Sequence, residues 1–510
     1  MEKMTTLQKT TDCGLLRTIR WIFMAVMALI LLLLHDEASF MLAAIVPMAA
    51  AFALCIYIYI YIYKTKHLDY DRVVRAILPV LLALQLYIAY NICFDVGWDV
   101  GGITRAAKLL SNYDLSYIFQ YWYTAYPNNM LITYIEAFIL ILYKEFGFGE
   151  VFNGMMGVII VNCVINTFAC LLVYKTAKLF VRIECAFFSF LLVCVLVGLS
   201  PWTVVCYSDS ICLAFPVLCL YLYAKPTKKK LVKIIEYVFA IAIASAAFYI
   251  KPQCFIVFIA AVIVEIISEK PSWRRIVAVA GSVLLACAVL FVTQKWIDML
   301  GSMAFLPTNR EDKLGASHFF MMGLNEQSTG AYSEEDVEFS MSFATAAERR
   351  EANLAESARR IKNFGFFGLL KHWGIKLWGS FNDGTFAWGE IGVFYREIYD
   401  APNTKAAPFL RSIYYNGEER FKIFDVTEQI TWILTLMLAF LSALRKEKKN
   451  GSLNALWLTA VGIAMYIVLF EQRARYVYIF APVFCVLAAV GLETSSEMIG
   501  VWLGRKDRVI

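Results

Sequence analysis

Two aspartates, four residues apart, follow directly on a long apolar run of the chain. Asp95 and Asp99 lie in the stretch FDVGWDVGG, which begins at Phe94. An ionisable side chain at a membrane edge is costly unless it is paired or hydrated, so acids at this place indicate a functional site. A carboxylate there can take a proton from a hydroxyl nucleophile, and such general-base help is typically worth about 10² to 10⁴ in rate.

More polar side chains border other apolar runs. Arginine binds phosphate through its planar fork and lysine as a point charge, so carboxylates combined with such cations are suited to transferring a sugar from a lipid phosphate. Each of these residues taken alone is equally well explained as an anchor at the membrane interface. Besides the two aspartates, the set consists of Tyr126, Asn128, Asn129, Asp209, Lys251, Asp383, Glu471, Arg473 and Arg475.

The composition predicts an integral membrane protein. The chain has 510 residues, of which 60% are hydrophobic and 17% charged, and its mean hydropathy is +0.63. The net charge of +6 comes mostly from short basic clusters between apolar runs, which is typical of cytoplasmic loops, so we expect a lipid bilayer and no nucleic acid as partner. The 13 cysteines are scattered without a CxxC pair, so neither a disulfide framework nor a zinc site is indicated.

Apolar segments long enough to be candidate membrane helices recur along the whole chain. An alternating Ile-Tyr stretch from Cys55 to Lys64 favours a strand when taken alone, but an open strand in lipid would leave its backbone groups unsatisfied, so we predict helix there as well. The candidate spans are 16–34, 39–63, 73–94, 130–146, 151–173, 183–199, 207–224, 231–250, 253–268, 275–297, 427–444, 453–470 and 476–498.

The basic clusters orient these spans, because positively charged loops stay in the cytoplasm. The clusters lie at 64–75, 225–230, 270–275, 445–449 and 505–508. The connections 35–39, 95–129, 200–210, 251–253, 298–427 and 471–475 then lie outside, together with all the residues named above. Three candidates fall between 129 and 200 where an even number must cross. The weakest is 130–146, so we expect about 12 spans.

This topology divides the chain into four parts. We predict two extra spans in 1–72, a transmembrane module in 73–297 with a first catalytic loop at 95–129, a large extracytoplasmic loop in 298–427, and the last spans with a short tail in 428–510. The large loop contains a charged helix within 334–376, interpreted as a solvated cover. His318 and His372 lack a partner at metal-ligand spacing. No cofactor is firmly implied, although a divalent metal is compatible with the sequence.

The loop motifs resemble those of a known superfamily. The stretch DVGGITRAAKLL from Asp99 to Leu110 is similar to the first extracytoplasmic loop of GT-C fold glycosyltransferases, which include protein O-mannosyltransferases and lipid A aminoarabinose transferases. Those proteins have Asp-Glu-x-x-Tyr followed by Tyr-Pro-Pro. Here Val100 replaces the glutamate, and the turn at 126–129 reads Tyr-Pro-Asn-Asn, as in bacterial members that resemble dolichyl-phosphate-mannose-protein mannosyltransferases of the family 39 type. Further matches are YSDS at 207–210, Lys251-Pro252, WGSFNDGT at 378–385 and EQRARY at 471–476.

The resemblance implies a GT-C-like helical bundle and an inverting transfer from a polyprenyl-phosphate-linked sugar donor to an envelope acceptor. The residue aligned with the base of the family is Asp99, and Asp95 takes the role if the alignment slips by four. We expect the donor phosphate to contact Lys251, Arg473 and Arg475. The substrates would contact Tyr126, Asn128, Asn129, Asp209, Asp383 and Glu471.

Two other functions fit the same composition. A transporter or flippase of lipid-linked sugars would also place cations at the membrane edge, and inverted repeats with paired broken spans would favour it. A non-catalytic component of a polysaccharide assembly complex would have no need of Asp99. The acid of the loop and the Tyr-Pro-Asn-Asn turn favour the enzyme.

Overall fold

Helices form almost all of the regular structure. The computed structural model describes residues 2–33, 68–114, 120–147, 151, 154–267, 272–303, 311, 313–400, 405–445 and 451–502. In chain order, the helices are α1 (Glu2–Leu33), α2 (Tyr70–Ile92), α3 (Asp99–Ser111), α4 (Gln120–Ala125), α5 (Asn128–Glu145), α6 (Met156–Ala177), α7 (Ile183–Val193), α8 (Ser208–Ile211), α9 (Phe215–Ala224), α10 (Lys230–Ala247), α11 (Ile256–Ile267), α12 (Trp273–Met303), α13 (Ala316–Met322), α14 (Glu334–Met341), α15 (Ala346–Phe381), α16 (Ala406–Tyr414), α17 (Phe421–Ser442), α18 (Gly451–Leu469), α19 (Arg475–Tyr478) and α20 (Ala481–Trp502). Strands β1 (Phe94–Asp95) and β2 (Glu397–Ile398) pair antiparallel.

The predicted all-α membrane class is confirmed in the described residues. Helices satisfy their own backbone groups, which is what a chain in lipid requires. Five of them, α2, α6, α12, α17 and α18, are long and apolar enough to cross a membrane. Shorter apolar helices cover Ile183–Gly198, Ser208–Ala224 and Pro252–Ile267. The predicted span 39–63, with its alternating Ile-Tyr stretch, lies outside the described residues.

Three helical segments are irregular where they reach one end of the bundle. Helix α7 continues into a π turn at Cys194–Gly198, and a 3₁₀ turn at Pro201–Val204 follows it. The predicted span 207–224 is interrupted between α8 and α9. Helix α11 is preceded by a 3₁₀ turn at Pro252–Phe255. Such breaks free backbone groups and polar side chains, and they are tolerated at membrane depth only where protein or water surrounds them.

Ion pairs join the helix ends at the opposite end of the bundle. Lys178 Nζ lies 2.6 Å from Asp71, and Glu493 pairs with Arg182 and Arg445, each at 3.2 Å. Asp71 and Arg445 belong to loops that the basic clusters assign to the cytoplasm. Their contacts therefore join loops that were predicted to lie on the same side.

Helix α5, the weakest of the candidate spans, runs beside the loop helix α3. Lys144 donates to Ser111 Oγ at 3.1 Å and to Asn112, so the last turns of the two helices meet. Helix α2 begins and α6 ends at the Asp71–Lys178 pair, so the chain between α2 and α6 leaves and re-enters the bundle at one end. That segment 130–146 does not cross the membrane stays a prediction. The total of about 12 spans stays a prediction.

The large loop contains the predicted charged helix. Helix α15 starts with a capping box, in which Thr345 Oγ1 accepts from the Glu348 amide and the Glu348 carboxylate accepts from the Thr345 amide. The helix is broken at Gly365, whose φ of 59° and ψ of −177° suit only glycine. Residues 346–364 and 366–381 therefore form two separate helical pieces.

Candidate active site

Four segments that are far apart in the chain meet at the end of the bundle where the helices are broken. They are the start of α3 with Trp98 and Asp99, the start of α8 with Tyr207 and Asp209, the turn after α10 with Lys251, and the turn at 471–475 before α19. Of the residues predicted from the sequence, the structure brings together Asp99, Asp209, Lys251, Glu471, Arg473 and Arg475.

Asp99 lies in the first turn of α3. The partly enclosed space around its side chain is called the recess. Its side chain is accessible to solvent, although protein surrounds it on most sides. Tyr207 Oη donates a hydrogen bond to Asp99 Oδ2 at 3.3 Å. Desolvation raises the pKa of Asp99; Arg475 opposes the rise and Glu471 adds to it. An accessible carboxyl group with a raised pKa is suited to accept a proton.

Behind this recess, one buried carboxylate faces two buried cations. Lys251 Nζ lies 2.5 Å from Asp209 Oδ1, and Arg475 Nη1 lies 3.9 Å from Asp209 Oδ2. All three side chains are less than 10% exposed. Nε and Nη1 of Arg475 have no hydrogen-bond partner among the described residues. Asp209 alone offsets only one of the two positive charges; Arg475 also interacts with Asp99 and opposes the rise of its pKa.

Aromatic rings hold the guanidinium of Arg475 in place. Its Cζ lies 4.4 Å from the ring centre of Trp98, 5.0 Å from that of Tyr207 and 5.5 Å from that of Tyr476. Ring faces attract cations, and the attraction is stronger where water is excluded. Lys251 is held in the same way, 4.9 Å from the centre of the Tyr476 ring. Both cations are therefore fixed in position.

The turn between α18 and α19 supplies a more accessible cation. Arg473 Nε lies 3.4 Å from Glu471 Oε1, and the Arg473 side chain is 29% exposed. Tyr476 Oη donates to Glu471 Oε2 at 2.8 Å, which fixes the carboxylate. Arg473 is thus the arginine of this turn that a ligand can reach directly, whereas Arg475 is buried.

Asp95 lies apart from this cluster. It pairs with Arg396 beside the two-stranded sheet, and its Oδ1 also accepts from the Val96 amide at 3.0 Å. Asp95 borders a cavity of about 600 Å³ whose other walls include Thr104 and Lys108. Residues 104 and 108 lie on the side of α3 opposite to residue 99, as the helical period of 3.6 requires.

The Asp383 side chain stabilises the turn in which it lies. Its Oδ1 accepts from the amide and the hydroxyl of Thr385, both at 2.7 Å, and its Oδ2 accepts from the Ala387 amide. The turn contains two consecutive non-glycine residues with positive φ, Phe386 at 59° and Ala387 at 63°. Such a backbone persists only when its surroundings determine it, so these hydrogen bonds account for the aspartate in FNDGT. Substrate binding by Asp383 stays a prediction.

The Tyr-Pro-Asn-Asn turn starts helix α5. Asn128 Nδ2 donates to Asn129 Oδ1 at 3.2 Å, and Asn129 is buried, with its carbonyl accepting from Thr133. Tyr126 is half-buried. The two amides are therefore engaged with their own helix start. A contact of Tyr126, Asn128 or Asn129 with substrate stays a prediction.

The two histidines of the large loop have hydrogen-bond partners of their own. His318 Nδ1 lies 2.7 Å from Ser340 Oγ, and His372 Nε2 lies 2.9 Å from the Gly323 carbonyl. Burial lowers the pKa of His318 to about 4. Among the described residues, no group of three or more His, Cys, Asp or Glu side chains is arranged to hold a metal ion.

Sequence reasoning missed the aromatic surroundings of Arg475. Trp98 directly precedes Asp99, Tyr207 stands two residues before Asp209, and Tyr476 directly follows Arg475, so their positions close to charged residues were the available signal. Sequence reasoning also missed Lys376. This buried lysine donates to the carbonyls of Gly323, Val468 and Phe470 at 2.6 to 2.9 Å and so holds the start of the 471–475 turn.

Comparisons with known proteins give matches of two kinds. A comparison with curated proteins finds no significant match. Among solved structures, the chain is similar to the oligosaccharyltransferase of Archaeoglobus fulgidus in its apo form, with 11% identity and a TM-score of 0.43, covering 86% of this chain and 53% of that one. The chain thus spans about half the length of that protein.

A second structure of the archaeal enzyme, AglB with an inhibitory peptide and dolichol phosphate, matches with 11% identity and a TM-score of 0.38, covering 84% of this chain and 51% of that one. ArnT from Cupriavidus metallidurans, bound to undecaprenyl phosphate, matches with 12% identity and a TM-score of 0.35, covering 86% and 82%. Both proteins are GT-C glycosyltransferases, the superfamily that the loop motifs resemble. These scores are too low to carry an argument, so the function of this chain has to be argued from its own side chains. Residues 16–496 match the family described as conserved hypothetical integral membrane protein, and the chain belongs to that family.

Proposed function

We propose that the protein is a glycosyltransferase that moves a sugar from a polyprenyl-phosphate donor to an acceptor of the cell envelope on the outer face of the membrane. The observation that carries the proposal is the placement of Asp99. It is an accessible carboxyl group that accepts a hydrogen bond from Tyr207. It lies near buried cations whose charge is only partly offset by Asp209. A base beside an anion site is what transfer from a lipid phosphate requires.

The reaction is a single displacement at the anomeric carbon of the sugar. The acceptor oxygen forms a bond to this carbon while its proton passes to Asp99. The bond between the anomeric carbon and the phosphate oxygen breaks, and polyprenyl phosphate leaves with the bonding electrons. Because attack and departure occur on opposite faces of the carbon, the product has inverted configuration.

The cations divide the task of holding the phosphate. Arg473 is accessible and contacts the phosphate directly, and charge-assisted bonds of this kind are the strong ones. Arg475 and Lys251 are buried and paired with Asp209, so they stabilise the leaving phosphate through their field. Asp209 therefore positions the two cations, and Glu471 positions Arg473. These roles refine the sequence expectation, which gave Lys251, Arg473 and Arg475 the same task.

One structural feature also suits the alternative of a transporter for lipid-linked sugars. The helices at this end are broken at Cys194–Gly198, between α8 and α9, and at Pro252–Phe255, and transporters use broken helices at their binding sites. Turnover in detergent solution distinguishes the two functions. Detergent leaves no compartments, so only an enzyme forms product there.

The test compares Asp99→Asn with Asp95→Asn in such an assay, with polyprenyl-phosphate sugars as donors. Asn keeps the size of the side chain and removes its basicity, so Asp99→Asn should lower turnover by about 10² to 10⁴ while donor binding persists. Asp95→Asn should lower it much less, because Asp95 pairs with Arg396 on the other side of α3. Near-normal turnover in Asp99→Asn would reject the base, and a loss confined to Asp95→Asn would move the role to Asp95.

A further inference from the structure

The second piece of α15 exposes an apolar stripe. After the break at Gly365, Phe366 is 72% exposed, Phe367 82% and Leu370 45%. These three positions lie within about 100° of one another around the helix, so they share one face. Single exposed apolar side chains are ordinary, but a row with two adjacent phenylalanines is a surface that water solvates poorly.

From Lys376 onward the same piece is buried or half-buried, and it contacts the turn at 471–475. Lys376 is fully buried and donates to the carbonyls of Val468 and Phe470, which directly precede Glu471. Ser380 Oγ donates to Gln472 Oε1 at 3.1 Å, inside the turn itself. Residues 366–381 thus connect the apolar stripe at their start with the Glu471–Arg475 turn at their end.

The stripe is continuous with the exposed apolar surface of α1, which belongs to a predicted membrane span. A Cβ added to Gly374 would lie 3.8 Å from Leu33, so this piece of α15 lies against the last turn of α1. Helix α1 exposes Leu29 and Leu32 on its outer surface. Lys371 lies beside Leu370 on the exposed side of the stripe. An apolar face bordered by a lysine and carrying aromatic rings is typical of helices that lie in the membrane interface.

We propose that residues 366–381 form an interfacial helix whose phenylalanines insert into the outer leaflet of the bilayer. The break at Gly365 lets this piece lie along the membrane while residues 346–364 remain in water. The occupant of the stripe is lipid, because the stripe extends the lipid-facing surface of α1. Through Lys376 and Ser380, seating of the helix in lipid sets the position of the Glu471–Arg475 turn.

The test measures the surroundings of a nitroxide label on the full-length protein in lipid nanodiscs. Labels are placed through Phe367→Cys or, as matched control, Leu354→Cys, which is 45% exposed on the piece before Gly365. The signal of the labelled parent protein is subtracted. We expect the label at 367 to collide mainly with oxygen, which dissolves in lipid, and the label at 354 mainly with a water-soluble nickel chelate.

Three outcomes would overturn the proposal. A label at 367 that collides mainly with the nickel chelate would place the stripe in water. A label at 367 that collides with neither reagent would mean that protein covers the stripe. Equal behaviour of the two labels would contradict a change of surroundings at Gly365. The measurement requires no turnover, so its outcome is independent of the proposed glycosyl transfer.

The link to the site is tested separately with Phe366→Ser/Phe367→Ser. These two changes are at exposed positions and leave the packed residues 376–381 untouched. This step rests on the proposed function. We expect at least a tenfold loss of turnover in nanodiscs, with thermal stability of the purified protein unchanged. Full turnover of a variant whose helix has left the lipid, as read by a label at Leu370→Cys with the label at 354 as the water-exposed reference, would refute the coupling while leaving both the interfacial helix and the enzyme standing.

Discussion

At the scale of single residues, Asp99 combines accessibility with a raised pKa. Most carboxyl groups at a protein surface are well hydrated, and most buried ones are inaccessible. In the recess near Arg475, Asp99 is accessible, as a base has to be, and its surroundings favour its protonated form. The same recess therefore determines the pH range in which Asp99 can act.

The pH dependence of turnover should report this environment. Asp99 must be deprotonated to act as base, and desolvation raises its pKa, so activity falls with decreasing pH through a value above the usual range of about 3.9 for aspartate. Glu471 raises the same pKa, so Glu471→Gln should move the acidic limb of kcat/KM to lower pH. The exposed Glu335→Gln serves as control. An acidic limb that stays in place or moves upward in Glu471→Gln would contradict the assignment.

The sequence predicted individual side chains of the site better than it predicted their contacts. Asp99, Asp209, Lys251 and Arg475 meet as expected, because chain segments that leave a bundle at one end are bound to lie near each other. The sequence could not predict that the Asp383 carboxylate would be engaged in hydrogen bonds within its own turn. The partners of that carboxylate are backbone amides, which no pattern of side chains reveals.

At the scale of helices, α17 and α20 pack more closely than ordinary side chains allow. A Cβ built on Gly491 would lie 1.7 Å from the Leu438 carbonyl oxygen, so glycine is required for the two backbones to approach. Small residues at such contacts are how membrane helices gain packing energy without a hydrophobic driving force. This pair of helices brings α19 and its Arg475 to the site.

Gly491→Ala should therefore destabilise the protein. The added methyl group overlaps the backbone of α17, so the helices must separate, and overpacking of this kind typically costs about 1 to 3 kcal/mol or more. Gly281→Ala on α12, where nothing lies within 4 Å of the added Cβ, is the matched control. Thermal unfolding in detergent, followed by size-exclusion chromatography, measures both. Equal melting temperatures for the two variants would mean that α17 and α20 are not tightly packed.

Apolar runs predicted the helices well, since the expected span 73–94 is α2 at Tyr70–Ile92 and the expected loop helix is α15. The breaks were harder to predict. The interruption at Cys212 to Ala214 and the π turn at Cys194–Gly198 occur in sequences as apolar as those of intact helices. These breaks depend on tertiary packing against neighbouring helices, which a pattern along one segment does not contain.

At the scale of the whole molecule, every contact of the recess belongs to one end of the bundle and the basic ion pairs to the other. Once one end of the bundle is assigned to a side of the membrane, the orientation of the entire chain is fixed. The basic clusters predict that the recess faces outward. The predicted division of the chain into four parts is not needed for this argument and stays a prediction.

Labelling of introduced cysteines tests the orientation. A cysteine at Glu335, exposed on α14, should react with an impermeant maleimide in intact cells, and one at Lys228, exposed between α9 and α10, should react only after the membrane is opened. Parent protein without these cysteines gives the background. The reverse pattern would place the recess in the cytoplasm and remove the basis for transfer to an envelope acceptor.

The contact between Trp98 and Arg475 has a consequence for how the protein is made. The two residues are 377 positions apart in the sequence, yet the guanidinium lies 4.4 Å from the indole. The ribosome has synthesised α2 and α3 long before α19 emerges. The nascent protein therefore carries Asp99 before it carries Arg475. We therefore expect copies that end before Arg473 to keep Asp99 and Lys251 but to lack both arginines of the proposed phosphate site.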